Sequence, residues 1–445
     1  MSKTALERKI SLVQATAINM TDMVGIGPFV VLSAVVEFMN GPWFLYAWVA
    51  GAVLSVIDAM IWSELGSTFP RAGGTYNFLK ESFGPKWGKL TSFLFVWQTM
   101  IQAPLVIASA AIGFAQYFSY IVPLEGFERR IVSGGIVVLI VFLLYRKIET
   151  IGKISVLLWL GVLITMACII GGGFFHGNFL APVRQINDGL NINGAFAASL
   201  GFASVKTMYS YLGYYNVCHL GGEIVQPEKN IPRSMFISVA GIAVLYLLMN
   251  ISVASVLSLN TIIKSPFVVS EFVQVLAGSV AATIVTVLIL WVAFASVFSA
   301  TLGYSRIPFA AAKDGAFFNV FAKLHPTKHF PYISLLALGG VAFIFSIVFH
   351  DIKKVVSAIL AMRILIQFIG QAIGLILLSK RKGRNFIKWK MPLYPIPVIL
   401  AICMWLYVFI STNMQMAIWG VAVITFGIAV YVIKAKINKE WPFKH

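Results

Sequence analysis

The chain has 445 residues, 59% of them hydrophobic and 11% charged, less than half the charge of an ordinary soluble protein; its mean hydropathy is +0.87. Spread over a globule, that composition would leave large apolar surface in water, which excludes the soluble and disordered classes. The formal charge of +18 sits between apolar blocks rather than on one binding surface, so no nucleic-acid partner is expected.

A helix needs about 20 mostly apolar residues to cross roughly 30 Å of hydrocarbon. Blocks of that kind centre on 12–36, 41–66, 88–118, 130–146, 154–175, 196–220, 234–258, 280–304, 333–350, 355–379, 393–412 and 415–434. They predict an all-α integral membrane protein of twelve transmembrane helices, segments 1 to 12. The period-two alternation of a membrane barrel is missing. The first block is too long for a cleavable signal and has no small-residue cleavage site after it. One membrane domain is expected over 1–445.

With the N-terminus placed inside, most Lys and Arg fall on the inner side. The largest clusters are Arg71/Lys80/Lys86/Lys89, Arg146/Lys147/Lys153 and the run from Lys380 to Lys390. Outer loops hold Arg129, Arg130, Arg184, Lys264, Lys353 and Lys354. This positive-inside bias predicts cytoplasmic termini and a cell-membrane location, and attraction to an anionic inner leaflet accounts for the basic balance. Cys168, Cys218 and Cys403 all fall within segments and show neither a disulfide framework nor a metal-ligand spacing. No metal and no cofactor is expected.

Segment 1 contains Asp22-Met23-Val24-Gly25-Ile26-Gly27-Pro28. Gly costs a helix interior roughly 1 kcal/mol and Pro roughly 3, so the spacing predicts a break near Gly25–Gly27 with Pro28 opening a new half-helix. Segment 6, around Tyr209-Ser210-Tyr211-Leu212-Gly213-Tyr214, is polar and Gly-interrupted at a corresponding place. Paired interruptions point to a transporter built from inverted repeats. The two repeats would span about 10–176 and 194–380, with helices 11 and 12 at about 393–435 as additions. A half-helix starting inside the membrane offers free N–H groups that suit a carboxylate; one ending there offers carbonyls that suit an ammonium. Such groups must line a cavity, because hydrocarbon cannot satisfy them.

Four stretches then resemble the amino acid–polyamine–organocation (APC) superfamily. They are Gly25-Ile26-Gly27-Pro28-Phe29; Ser63-Glu64-Leu65-Gly66 followed by Phe69 to Tyr76; Gly222 to Arg233; and Ser305 to Gly315, with Phe330-Pro331 opening the next helix. The resemblance implies a 5+5 inverted-repeat core with helices 1 and 6 unwound at mid-membrane around an amino acid or related amine. Carried over by position, the substrate carboxylate meets the N–H groups of Ile26 and Gly27, beside Gly25. The amino group meets the carbonyls of Met23 and Leu212, next to Gly213, and Tyr209 closes over the substrate. Pro28 removes one donor from this pattern, and Phe29 is the candidate to replace it. Segment 5 carries no lysine of the kind found in many proton-coupled relatives, since Lys153 lies at its end.

Ionisable groups at membrane depth default to functional roles. Asp22, Lys206 and Arg363, the last with Gln367 and Gln371 on one helix face, are candidates for coupling or gating. Glu64 is expected to anchor an inner gate against Arg71 or Arg306, with Glu223 in a similar place and His219 between them. Gln98 and Gln102 in segment 3, Tyr214, and Trp291, Phe294 and Phe298 in segment 8 are candidates for a side-chain pocket. Ser296 and Ser299 could complete a sodium site, though small hydroxyls also pack helices.

The reading is a permease that moves amino acids by alternating access, with protons expected as coupling ion ahead of sodium. Amino acid exchange is the alternative, then polyamine transport. A membrane-embedded enzyme or a channel is a distant rival: there is no nucleophile–base motif, zinc spacing or filter loop.

Overall fold

The computed structural model describes residues 6–349, 352–437 and 439–443, and the side chains among them except those of 352–354, so the outer-loop Lys353 and Lys354 lie outside the described side chains. Regular structure among the described residues is helical, apart from two isolated bridges, Ile10 with Ile224 and Ala72 with Leu220. Among the described residues, seven helices are long and apolar enough to cross a membrane: Phe44–Thr68, Gly84–Ile121, Ile148–His176, Pro227–Ala254, Val268–Lys313, Val355–Lys382 and Met414–Ile437. Leu12–Met23 and Gly27–Met39 pass the same test as a pair bent by 44°. Segments 9 and 11 are shorter helices, Tyr332–Val348 and Ile396–Ile410. Segment 4 is Gly126–Leu144, and segment 6 is split into Gly194–Tyr211 and Asn216–His219.

The break in segment 1 falls where Gly and Pro interrupt the apolar run. The first helix is capped by Ser11, whose hydroxyl accepts from the Gln14 N–H (3.3 Å) while the Gln14 side chain accepts from the Ser11 N–H (2.9 Å). It ends at Met23, and the next helix starts at Gly27, so Pro28 takes its second position rather than the first. Either place spares the missing N–H, because the first four N–H groups of a helix have no intrahelical partner. In segment 8 the chain is non-helical at Gly278 (φ 80°, ψ 179°), so its straight run starts close to the expected 280. Segment 10 changes pitch: Ile352–Arg363 is α-helical, Ile364–Gly370 is a π turn, and Gln371–Lys382 is α-helical again.

The two broken helices sit at the centre of the bundle. Leu12–Met23 packs on Ile148–His176, Pro227–Ala254 and Val268–Tyr304, while Gly27–Met39 packs on Gly194–Tyr211. Gly84–Ile121 lies along Val268–Tyr304, and Phe44–Thr68 along Pro227–Ala254. Met414–Ile437 is outermost, with only 17% of its apolar window buried and Trp419, Phe426 and Ile433 exposed. That is the surface a lipid-facing helix presents.

Asp58 ties three of these elements together. Buried in Phe44–Thr68, it accepts from Trp62 Nε1 (2.8 Å), from the Tyr214 hydroxyl beside the break in segment 6 (2.5 Å), and from Trp405 Nε1 of Ile396–Ile410 (3.2 Å). Three donors satisfy a carboxylate that would otherwise be costly to bury. Asp58→Leu strands all three donors and is expected to destabilise the folded protein by about 3 kcal/mol or more, with Asp58→Asn milder. Thermal melts in detergent followed by tryptophan fluorescence check this, and an unchanged melting temperature for Asp58→Leu would remove Asp58 as a structural node.

Candidate functional site

The two breaks meet. Gly213 has φ +120°, a conformation that favours glycine, and a Cβ there would lie 2.8 Å from the Asp22 carbonyl carbon and the Met23 nitrogen. The turn Leu212–Tyr215 therefore seats directly on the end of Leu12–Met23. Polar side chains lock the contact. The Asn19 Oδ1 accepts from the Val217 N–H (2.9 Å), Asn216 Nδ2 donates to the Ser299 carbonyl (2.8 Å), and the Thr21 and Ser299 hydroxyls are 2.5 Å apart. From Pro227–Ala254, the Tyr246 hydroxyl reaches both broken helices, at the Met23 carbonyl (2.7 Å) and the Ser210 carbonyl (3.0 Å).

A small cavity of about 30 Å³ lies between the breaks. Asp22, Met23, Gly25, Ile26 and Gly27 form one wall, and Tyr209, Ser210, Leu212 and Gly213 form another. Val106, Ala110, Ser296, Tyr304 and Arg363 complete it. All seven residues expected around the substrate are thus brought to one cavity, together with Asp22 and Arg363. The N–H groups of Ile26 and Gly27 have no partner among the described residues, nor does the Leu212 carbonyl. Two donors and an acceptor thus belong to residues lining one cavity, a set that suits a carboxylate beside an ammonium.

Two details differ from expectation. The Met23 carbonyl already accepts from Tyr246 and from the Gly25 N–H (3.0 Å), which uses both of its lone pairs. The Phe29 N–H is committed to the Ile26 carbonyl (3.2 Å) and does not replace the donor that Pro28 lacks. Tyr209 holds its ring against Gly27, where a Cβ would lie 3.1 Å from Cε1, and its hydroxyl is 2.8 Å from Ser109 Oγ.

The proposed side-chain pocket lies elsewhere. Gln98 and Gln102 are fully buried with no partner for either amide, but the wall contributed by Gly84–Ile121 is Val106 and Ala110. These four residues follow one another at i+4 spacing, and the pair that lines the cavity lies about 12 Å further along the axis than the glutamines. Tyr214 points away to Asp58. Trp291 donates to the Leu158 carbonyl (3.1 Å) and stays 38% exposed. Phe294 packs on the core and Phe298 is buried in it; segment 8 reaches the cavity through Ser296 and Tyr304 instead. The Ser299 hydroxyl is taken by Thr21 rather than facing the cavity with Ser296.

The deep charges separate into distinct settings. Lys206 donates to Ser357 Oγ (3.0 Å) and lines a second cavity with Glu37 and Phe38. Glu64 pairs with neither expected arginine. It takes Arg384 in a fork (2.6 and 2.5 Å) and the Met391 N–H (2.6 Å). Arg306 forks onto Glu223 (3.0 and 3.0 Å), and Arg71 lies 3.8 Å from Glu81. Both forked pairs have the geometry that makes a buried ion pair tolerable. His219 is buried against the rings of Trp62, Tyr215 and Tyr304, and neither ring nitrogen has a partner. Arg363 is fully buried, bonded to the hydroxyls of Tyr215 and Tyr304, and Gln367 and Gln371 on the same face are buried as well, with Gln371 accepting from Thr75 (2.8 Å).

Sequence reasoning missed Ser210, Tyr304 and Tyr246. Ser210 follows Tyr209 and could have been carried with it, and the i+4 stripe could have led to Val106 and Ala110. A single tyrosine in an apolar helix, as Tyr246 is, gives no such signal.

The amino acid permease family matches residues 10–433. The chain is 27% identical over 416 residues to the serine/threonine exchanger SteT of Bacillus subtilis (strain 168), which covers 92% of this chain and 91% of that protein. It is 25% identical over 451 residues to the large neutral amino acids transporter small subunit 2 of Mus musculus, covering 96% and 81%. It is 25% identical over 407 residues to the cystine/glutamate transporter of Homo sapiens, covering 90% and 79%. These relatives are transporters rather than enzymes. A family match over nearly the whole chain, on a bundle of long apolar helices, means that this protein belongs to the amino acid permeases of the APC superfamily and is a multi-pass membrane transporter of amino acids.

Proposed function

We propose that this permease is a secondary active transporter of the cell membrane that exchanges one amino acid for another by alternating access. The observation that carries the reading is the cavity between the two breaks, lined by Ile26, Gly27 and Leu212, whose N–H groups (Ile26, Gly27) and carbonyl (Leu212) have no partner among the described residues. In this reading the substrate carboxylate takes the two N–H groups and its ammonium takes Leu212 and the neighbourhood of Asp22. Tyr209 covers the site, and Met23, Gly25 and Gly213 shape it. The fold is read as twelve transmembrane helices in a single domain over 1–445, with inverted repeats at about 10–176 and 194–380, helices 11 and 12 at about 393–435, and both termini cytoplasmic. The positive-inside bias supports that orientation.

Exchange is preferred to proton symport for two reasons. The first relative named above is an exchanger. In Ile148–His176, Trp159 stands against Met20 Sδ of the first helix (3.2 Å), and the sequence between Lys153 and His176 holds no Lys, His, Asp or Glu to carry a coupling proton. Proton symport is the second reading, favoured by Asp22 on the cavity wall. Sodium symport is disfavoured by the mutual bond of Thr21 and Ser299, which occupies the hydroxyls a cation would need.

Proteoliposomes separate these readings. Exchange predicts rapid uptake of labelled amino acid only when unlabelled amino acid is preloaded, with no accumulation under an inward proton gradient alone. Gradient-driven accumulation without preload overturns exchange in favour of symport. Gly27→Val places a branched side chain where even a Cβ lies 3.1 Å from the Tyr209 ring and 3.2 Å from Ser210 Oγ. That variant is expected to lose at least about tenfold in counterflow, the equivalent of 1.4 kcal/mol, while reaching the membrane normally. Counterflow at the wild-type rate would sink the site assignment.

A further inference from the structure

We infer that one anionic phospholipid binds in a cleft at the basic end of the bundle, where Lys434 reads its headgroup phosphate. The cleft lies between segments 3 and 12 and the loop after segment 8, and its volume is about 440 Å³. Its walls include Phe93 and Trp97 of Gly84–Ile121, Phe317 and Phe318 of the loop, and Ile433 and Lys434 of Met414–Ile437. All of these but Lys434 are apolar or aromatic. No residue lines both this cleft and the cavity between the breaks.

The cleft exists because segment 12 touches the bundle along a narrow strip. Phe93, Tyr431 and Ala435 form a small buried cluster of their own, with the Phe93 and Tyr431 rings 5.4 Å apart. One turn on, Gly427 brings the backbone close to Trp97, whose indole N–H donates to the Val423 carbonyl (3.1 Å). Beside that strip Ile433, Ile437 and Phe318 stay exposed. Trp87 and Trp441 meet at 5.0 Å at the same end, the kind of aromatic pair that marks a membrane–water interface. Phe93 follows Trp87 by six residues, about 9 Å deeper along the helix. The cleft therefore runs from the interface into the hydrocarbon, and an acyl chain is the apolar group that fills it.

Lys434 selects the headgroup. Its side chain is half-buried on the wall of the cleft, with the ammonium donating to the Ala316 carbonyl (3.0 Å) and lying 5.7 Å from the centre of the Phe93 ring. Both partners are neutral, and only one of the three ammonium hydrogens is used. No ion pair among the described residues includes Lys434, whereas Lys80 and Lys89 at the same end take Asp314 (2.6 Å) and Glu440 (3.5 Å). A cation held against an apolar wall is costly without a counter-charge, and the phosphate of a lipid whose chain fills the cleft supplies one. Lys86 and Lys436 are exposed at this end and add to the attraction. Basic pockets between transmembrane helices on the cytoplasmic side bind anionic headgroups in this way.

Titration of the purified, delipidated full-length protein with phosphatidylglycerol, and with phosphatidylcholine of the same acyl chains, tests this by native mass spectrometry and melting temperature. The wild type is expected to bind one phosphatidylglycerol at least about fivefold more tightly than phosphatidylcholine, the weight of one basic residue at an anionic surface. Lys434→Gln should bring the two lipids to within about twofold of each other, and Lys434→Arg should keep the preference. Ala316→Trp fills the cleft and should weaken both lipids by about fivefold or more. Lys147→Gln, which removes an exposed cation outside the cleft, should leave the preference unchanged. Equal binding of the two lipids by the wild type overturns the inference whatever the variants do. Equal losses in Lys434→Gln and Lys147→Gln assign the effect to diffuse charge attraction and overturn it. A melting shift by soluble glycerol phosphate as large as that by the lipid makes this a free-phosphate site and overturns it. A protein dimer that Ala316→Trp abolishes gives the cleft to a second copy of the chain and overturns it as well. No amino acid enters the measurement, so its outcome is separate from that of the exchange reading.

Discussion

A helix interrupted in apolar surroundings leaves backbone groups that neither lipid nor hydrocarbon side chains can satisfy. This protein interrupts two, and most of its central packing answers that one constraint. Gly213 lets the second break close onto the end of the first helix. Tyr246 delivers one hydroxyl to carbonyls of both broken helices, and Asn19, Asn216, Thr21 and Ser299 cross-link what remains. Among the groups left over after this accounting are the N–H of Ile26, the N–H of Gly27 and the carbonyl of Leu212, all from residues that line the cavity.

Charge is managed by the same rule in a different form. Asp58 is buried but carries three neutral donors, and Glu223 and Glu64 are buried but forked by arginines. The Glu223–Arg306 pair stands beside the bridge of Ile10 with Ile224, and the Ala72–Leu220 bridge and the bond from the Gly73 N–H to the His219 carbonyl (2.9 Å) seal the chain nearby. Breaking one buried fork by removing a partner costs about 3–5 kcal/mol, so these contacts hold the chain segments at this end of the bundle together. The Glu64–Arg384 fork works across a separation of 320 residues and joins the segment after Gln371–Lys382 to the end of Phe44–Thr68, where Ser67 and Thr68 accept from the Trp389 and Lys388 N–H groups.

How much of this was legible in the sequence follows from the range of each interaction. The break at Gly25–Gly27 was readable because Gly and Pro act on their own backbone, and so was its partner at Gly213. The spacing of Gln98 and Gln102 in segment 3 did not place Val106 and Ala110 at the cavity, because a helical period fixes an angle and says nothing of where a neighbour crosses. The partner of Glu64 was out of reach for a stronger reason. Arg71 and Arg306 were nearer candidates in the motif, and nothing local distinguishes Arg384 from the other cations of its basic run. Lys206 and Arg363 looked alike as deep cations, yet one lines a separate cavity and the other lines the site. Only packing separates them.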